Sequence, residues 1–316
     1  MSQHAVRHVY GPVPSRRLGR SLGVDLVPFK TCSYDCIYCQ LGRTTDKTTD
    51  LQEYVPIDCL LRELAERLQG GLRPDFIGLA GSGEPTLHVR IGEIIAGIKR
   101  LTSIPVAVLT NGSLLWRPEV RAGLSEADVV MPSLDVGHQA TFERVNRPHP
   151  DISFERMVDG LVAFASDFKG RVWLEVFVLA NISDRPDEIA RIAAIADKMR
   201  PARVQLNTVS RPPAEASALV VAIDTLKGLG GLFSSPCQII AESPAEPPAG
   251  VIESSSPEDE IVALVSRRPC TVEGIATGLG LLPNEVLKHL EVLSAKGAVR
   301  VKRRGDLPFY EGLMNR

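Results

Sequence analysis

The chain has 316 residues, of which 44% are hydrophobic and 23% charged, a composition typical of a soluble globular protein with a sizeable core. Its formal net charge of -2 gives no overall attraction to nucleic acid or to a membrane surface. No apolar run reaches the length of about 18 residues that a transmembrane helix needs. Met1–Tyr10 also lacks the apolar core of a secretory signal. The sequence therefore predicts a cytoplasmic protein with no membrane partner.

Apolar, β-branched runs alternate with amphipathic stretches through most of the chain. The runs end in turn residues, as buried parallel strands do, and they are Ser21–Pro28, Phe76–Gly81, Val106–Gly112, Val129–Asp135, Val172–Leu179 and Val204–Val209. Apolar side chains recur at helical spacing in Ile57–Gln69, Val89–Leu101, Phe154–Phe168 and Pro186–Met199. This alternation predicts an α/β fold with a parallel sheet. About six such units leave open a partial barrel, a full barrel or a doubly wound sheet, all with functional residues at the carboxyl ends of strands.

The C-terminal part of the chain has a different pattern. Ala216–Phe233 favours one more helix and Cys237–Ala241 one more strand, and residues 243–257 have the Pro- and Ser-rich composition of a linker. Beyond it, three helical stretches precede a predicted β-hairpin, an order that resembles a winged-helix domain: Asp259–Arg267, Val272–Gly278 capped by Thr271, Leu282–Lys296 and the hairpin 298–311. The predicted domains are residues 1–242, the linker 243–257 and residues 258–316.

The six cysteines are too few for a disulfide scaffold, and three of them fall within eight residues. Cys32, Cys36 and Cys39 have the spacing C-x3-C-x2-C, and no histidine lies nearby to complete a four-ligand zinc site. Three thiolates suit a [4Fe–4S] cluster with one iron left open. A zinc site or a chance grouping of buried cysteines are the alternatives.

This cysteine motif, with Tyr38 at its aromatic position, resembles the C-x3-C-x-aromatic-C motif of the radical S-adenosylmethionine (radical SAM) superfamily. The resemblance implies that Cys32, Cys36 and Cys39 bind a [4Fe–4S] cluster and that Tyr38 lies beside the cofactors. With this resemblance, the predicted fold is a partial (β/α)6 barrel of parallel strands followed by a small winged-helix domain.

A second match follows the next strand, at Gly81, Ser82, Gly83 and Glu84. It resembles the "GGE" element of the superfamily, and the resemblance implies that this loop meets the ammonium group of SAM. Glycines also leave the backbone open to a close ligand. The alternative is an ordinary strand–helix turn.

Polar side chains at the other strand ends are weaker candidates. These side chains can each hydrogen-bond a ribose or a carboxylate, and they are Asn111, Ser133, Asp135, Asn181 and Asn207. We predict that the first four of them bind SAM. Because Asn, Asp and Ser are common turn residues, the alternative is that they only cap loops.

The mechanism implied by the resemblance starts from SAM chelated to the open iron. A reductant such as flavodoxin or ferredoxin supplies one electron, SAM is cleaved, and the resulting 5′-deoxyadenosyl radical abstracts hydrogen from a substrate. No catalytic acid or base is assigned, because radical generation needs none.

The wider resemblance covers about residues 8 to 240. Tyr10–Asp25 and Gln205–Pro213 look like a subgroup of Fe–S oxidoreductases that is grouped with the tRNA wyosine-synthesis radical SAM enzymes. Those enzymes use a second cluster, whereas the remaining cysteines, Cys59, Cys237 and Cys270, are isolated in the sequence. The substrate is therefore left open.

Two groups of basic residues have an ambiguous role. Arg16, Arg17 and Arg20 suit an anionic substrate group, or else form a basic surface turn. The predicted hairpin carries a second group, which suits RNA, DNA or protein contact or else forms a solvated face: Arg300, Lys302, Arg303 and Arg304. The leading hypothesis is thus a radical SAM enzyme of unknown substrate. The alternatives are an Fe–S-dependent regulator that binds nucleic acid, and an enzyme whose tail recruits RNA or a protein.

Overall fold

The structure is a computed structural model, and it describes residues 7–69, 73–240 and 256–313. Most of the predicted linker 243–257 lies outside these residues. The prediction was wrong at its end, because the first C-terminal helix already begins at Pro257, with Ser256 as its N-cap.

The predicted strands are present close to their expected positions, usually shorter by a few residues at the carboxyl end. The strands are β1 (Val9–Ser15), β2 (Gly19–Val24), β3 (Thr31–Cys32), β4 (Asp46–Lys47), β5 (Phe76–Leu79), β6 (Val106–Thr110), β7 (Val129–Pro132), β8 (Arg171–Phe177), β9 (Arg203–Asn207), β10 (Cys237–Ile239), β11 (Val299–Arg304) and β12 (Leu307–Gly312). Of these, β1, β3 and β4 are additional to the predicted strands.

The predicted long helices are also present. The helices are α1 (Ile57–Gln69), α2 (Ile91–Leu101), α3 (Pro118–Gly123), α4 (Gln139–Val145), α5 (Phe154–Asp167), α6 (Pro186–Met199), α7 (Ile223–Gly230), α8 (Pro257–Arg267), α9 (Val272–Leu279) and α10 (Pro283–Ala295), with a short 3₁₀ turn at Pro85–Leu87. The helix predicted over Ala216–Phe233 is reduced to α7, because residues 214–222 before it form bends, a turn and irregular chain. None of the helices in the described ranges is long and apolar enough to span a bilayer.

One mostly parallel sheet forms the centre of the fold. Its strand order is β1-β2-β5-β6-β7-β8-β9-β10, and all neighbouring pairs are parallel except β1 with β2. The predicted α/β class with a parallel sheet is confirmed. The antiparallel strand β1 was missed, since its Gly and Pro residues obscure the alternation that marks a strand.

The two faces of the sheet carry different cores. Side chains such as Leu174 and Val176 face the helices and join the main core, whereas Trp173 packs with Leu18 and Met131 in a smaller inner core. Since side chains alternate along a strand, Glu175 and Phe177 share the inner face with Trp173. They therefore lie above the inner core, towards the carboxyl ends of the strands.

The C-terminal segment forms three helices and an antiparallel hairpin, β11–β12. Thr271 caps α9 as predicted, accepting a hydrogen bond from the Gly274 amide at 3.1 Å. The core of this segment includes Val13 of β1. A buried ion pair also joins it to the sheet: Arg267 Nε lies 2.6 Å from Asp25 Oδ2, with only 6% and 5% of the two side chains exposed.

Candidate functional site

A cavity of about 820 Å³ opens at the carboxyl ends of the parallel strands. Its walls come from three parts of the chain: the cysteine loop (residues 32–39), the strand ends, and the C-terminal segment. The lining includes Cys32, Tyr38, Cys39, Gly81, Gly83, Ser133, Glu175, Phe177, Asn207, Arg268 and Thr271. This volume lies within the range of small-molecule and cofactor sites.

The cysteine loop places Cys32 and Cys39 in the lining of this cavity, and all three of its thiols, including that of Cys36, are partly exposed. Each sulfur also faces an N–H donor from elsewhere. Lys30 Nζ lies 3.2 Å from Cys39 Sγ, Asn111 Nδ2 lies 3.6 Å from Cys32 Sγ, and Asn146 Nδ2 lies 3.6 Å from Cys36 Sγ. Donors of this kind stabilise negative charge on sulfur and orient metal ligands.

Burial raises the pKa of Cys32 to about 12, and the nearby charge of Glu84 raises it further. Burial also raises the pKa of Cys36 well above its ordinary value, and the nearby Cys32 raises it further. These two thiols therefore stay protonated unless a metal cation displaces the proton. No set of three or more His, Cys, Asp or Glu side chains in the described ranges could hold a single metal ion. A [4Fe–4S] cluster has separate irons for its thiolates, so it does not require the three thiols to meet at one point.

Tyr38 is fixed by the strand that forms the opposite wall. Its ring stacks on Phe177, with ring centroids 4.1 Å apart, and its hydroxyl donates to Asp135 Oδ2. Asp135 also accepts from Asn146 Nδ2 at 2.9 Å and from the Phe177 amide at 3.0 Å. The carboxylate predicted to bind SAM is therefore engaged by protein donors, and it holds Tyr38 in place. Burial raises its pKa to about 6.

The glycines of the GSGE segment are required by packing against the chain itself. A Cβ on Gly81 would overlap Asp25 Oδ1, and a Cβ on Gly83 would overlap the carbonyl of Thr31. The Ser82 amide donates to Asp25 Oδ1 at 2.7 Å, and the Ser82 carbonyl accepts from the Lys30 amide at 2.7 Å. Gly81 and Gly83 line the cavity, whereas Ser82 is buried behind them.

Glu84 is buried and does not face the cavity. Its Oε1 accepts from Thr86 and Thr110, and its Oε2 accepts from the Asn111 amide at 2.7 Å. Asn111 in turn donates to Ser33 Oγ at 2.8 Å, next to Cys32. These two residues, both predicted to bind SAM, thus tie the strand ends to the cysteine loop.

The last two predicted residues differ in position. Ser133 lines the cavity as expected. Asn181 is exposed, in a left-handed turn with φ 62°, and is not among the residues that line the cavity. The structure does not bring it together with the other candidates.

Several cavity residues were missed by sequence reasoning. Glu175 forms an ion pair with Arg17 across the inner face, and Lys30 also lines the cavity. A charged residue within the apolar strand β8 was the signal for Glu175. Arg211 and Arg268 gave no signal, because the fold rather than the sequence brings them together.

A model of the radical SAM superfamily matches residues 26–193, which is more than half of the 316 residues. The chain therefore belongs to the radical SAM superfamily, a class of enzymes that bind a [4Fe–4S] cluster and SAM.

Two relatives align with nearly the whole of this chain. A UPF0026 protein of Helicobacter pylori (strain J99) is 33% identical over 313 residues, covering 98% of this chain and 99% of that protein. A Brachyspira hyodysenteriae protein named "GTPase Obg" is 40% identical over 300 residues, covering 95% of this chain. The chain spans only 44% of that longer relative.

Solved structures share the fold. SuiB of Streptococcus suis, bound to S-adenosylmethionine, aligns with a TM-score of 0.53 at 14% identity. The alignment covers 69% of this chain and 50% of SuiB.

Proposed function

We propose that Cys32, Cys36 and Cys39 hold the [4Fe–4S] cluster and that SAM binds beside it in the cavity. When bound, these cofactors supply a one-electron cleavage of SAM to a 5′-deoxyadenosyl radical, which abstracts hydrogen from an organic substrate. The proposed enzyme is thus a radical SAM oxidoreductase of unknown substrate.

The observation that carries this proposal is the setting of the three thiols. They share one short loop, Cys32 and Cys39 line the cavity, and each of the three faces an N–H donor from a different residue. A lysine and two asparagine amides would also donate hydrogen bonds to thiolates that carry a cluster, and N–H donors to the sulfurs tune the reduction potential of such a cluster. A chance grouping of structural cysteines gives no reason for three separate donors.

The protein's own residues would perform the positioning. Tyr38 and Phe177 form an aromatic wall of the cavity beside the cysteine loop. Gly81 and Gly83 present bare backbone to the cavity, and Ser133 offers a hydroxyl. We propose that these residues contact SAM, while Ser82, Glu84, Asn111 and Asp135 hold the loops that do so.

The test is anaerobic reconstitution followed by iron analysis and a SAM cleavage assay with dithionite. The wild type should bind about four irons per chain and form 5′-deoxyadenosine. C32A, C36A and C39A should each lose the cluster and the cleavage. C59A is the matched control, because Cys59 is exposed on α1, and it should behave as wild type. Cluster binding that survives in all three variants would refute the ligand assignment.

We also propose that the sheet curves into a partial barrel. The two edges of the sheet approach each other, because Arg16, after β1, donates to the Ile240 carbonyl, after β10, at 3.4 Å. The same side chain donates to Ser210 Oγ at 2.8 Å. A crystal structure tests this proposal: it should show β1 and β10 joined through Arg16, and a flat sheet with separated edges would refute it.

The C-terminal segment is proposed to be a winged-helix domain that starts at Ser256, after a first domain of residues 1–242 and a linker between them. Its order of three helices and a hairpin supports this assignment. Contact with RNA, DNA or protein through the hairpin, a flavodoxin or ferredoxin reductant, and a cytoplasmic location belong to the same proposal. The enzyme is favoured over a regulator because residues of this segment line the cavity itself.

A further inference from the structure

The charges that line the cavity are unequal in sign. Two carboxylates, Glu175 and Glu273, face five basic side chains, namely Arg16, Arg17, Lys30, Arg211 and Arg268. Lys30 is engaged with Cys39, and Arg17 is paired with Glu175. We refer to the four arginines as the arginine cluster.

Two members of the cluster are held in place by neutral partners. Arg16 donates to Ser210 Oγ at 2.8 Å and to the Ile240 carbonyl at 3.4 Å. Arg211 donates to Gln40 Oε1 at 3.2 Å. These bonds fix the direction of each guanidinium, but their neutral acceptors do not compensate its charge.

The arginines also lie within electrostatic reach of one another. Burial lowers the pKa of Arg211 to about 9, and the nearby charge of Arg268 lowers it further than any other neighbour. Burial also lowers the pKa of Arg16, and the nearby charge of Arg17 lowers it further. Concentrating like charges in a partly buried space costs stability, and an anionic ligand would offset that cost.

We propose that Arg16, Arg211 and Arg268 form a subsite for a phosphate group, carried by a small-molecule substrate. This inference rests on the proposed function for the chemistry at the other end of the cavity. Several guanidiniums around one space suit a multiply charged oxyanion, because each can donate two parallel hydrogen bonds to it. The cavity volume of about 820 Å³ fits a small molecule rather than a duplex of nucleic acid.

The position of the subsite gives it a role in the reaction. Arg211 holds Gln40, which directly follows Cys39, so the subsite borders the cysteine loop. Anchoring a remote phosphate there would fix the reacting carbon of the substrate near SAM. Arg268 comes from the C-terminal segment, together with Thr271 and Thr277 of the lining. That segment would therefore complete the substrate site.

The experiment is equilibrium binding to the full chain by isothermal titration calorimetry in low-chloride buffer at neutral pH. The probes are inorganic phosphate, glycerol 3-phosphate, acetate and glycerol. The wild type should bind both phosphates saturably and bind acetate and glycerol at least about tenfold more weakly. R211Q and R268Q should each weaken phosphate binding by about tenfold or more. R211K should recover part of it, because lysine keeps the charge.

Control measurements separate this proposal from misfolding and from the proposed function. R100Q makes the same charge change on the exposed outer side of α2 and should bind phosphate as wild type does. Thermal melting without phosphate should show that R211Q and R268Q are folded. Saturable phosphate binding without SAM cleavage would refute the proposed function and leave the subsite standing.

Three results would overturn the subsite. One is the absence of saturable phosphate binding, and another is equal weakening by R211Q and R100Q. The third is a single-stranded, 5′-phosphorylated RNA that binds at least about tenfold more tightly than glycerol 3-phosphate with the same dependence on Arg211, which would make the ligand a nucleic acid.

Discussion

The two sides of the cavity are built in opposite ways. On the side of the cysteine and GSGE loops, the buried carboxylates have protein partners: those of Glu84, Asp25 and Asp135 each accept several hydrogen bonds. On the side of the arginine cluster, like charges lie near one another with few carboxylates between them. The first side is complete as the chain folds, whereas the second is suited to an incoming anion.

The difference separates residues that hold a site from residues that contact its ligand. A cluster and its cofactor need a rigid frame, so polar side chains near the thiols are used for positioning. A substrate must bind and leave, so its contacts cannot be satisfied internally. Substitutions should therefore destabilise the first side and spare or even stabilise the second.

The largest effect is expected at the ion pair that anchors the GSGE loop. R267A would leave Asp25 buried without its partner, so the free energy of unfolding should fall by about 3 to 5 kcal/mol. R185A, which breaks an exposed pair with Asp187, should cost less than about 1 kcal/mol. Urea unfolding of both variants measures the difference, and equal costs would show that the buried pair is not an anchor.

The next effect is at Gly83, where a Cβ would overlap the Thr31 backbone. G83A should lower the free energy of unfolding by about 1 to 3 kcal/mol and displace the cysteine loop, since backbone cannot move aside as a flexible side chain can. G228A is the control, because nothing lies within 4 Å of a Cβ there and the position is in helix α7. It should stabilise the chain slightly. Chemical denaturation reports both values, and a neutral G83A would contradict the tight packing of these loops.

In the arginine cluster, a substitution should raise the free energy of unfolding instead of lowering it. R211Q relieves repulsion from Arg268 and Arg16, so the free energy of unfolding should rise by about 0.5 to 1 kcal/mol in phosphate-free buffer. At saturating phosphate the wild type should be more stable than R211Q, because phosphate stabilises only chains that bind it. A loss of more than about 1 kcal/mol in phosphate-free buffer would instead make Arg211 a structural residue.

The smallest expected effect is a pH dependence of stability that arises at His88, next to the GSGE loop. His88 is fully buried, with Nε2 2.9 Å from the Val55 carbonyl, and burial lowers its pKa below the ordinary 6.5. The unfolded chain therefore takes up a proton first, so stability should be complete above about pH 6.5 and fall as the pH drops below it. H88N should show a shallower decline between pH 7 and 5, measured by urea unfolding. An identical slope would exclude His88 as the source.

The sequence predicted the sheet, its long helices and the loop that carries the thiols, because hydrophobic periodicity and cysteine spacing are local signals. It did not predict what the polar strand-end residues do. Asn111 and Asp135 follow strands as expected, yet their partners, Ser33 and Tyr38, lie about 80 to 100 residues earlier in the chain. The arginine cluster joins residues from both ends of the chain, so only the folded structure brings Arg16 and Arg268 together.

The most direct test of the central claim is electron paramagnetic resonance of the anaerobically reconstituted, dithionite-reduced protein, recorded before and after SAM is added. If three cysteines hold a cluster whose fourth iron is open to the cavity, SAM should shift the signal of the reduced cluster, and C59A should show the same shift. A reduced cluster whose spectrum does not change with SAM would contradict the account.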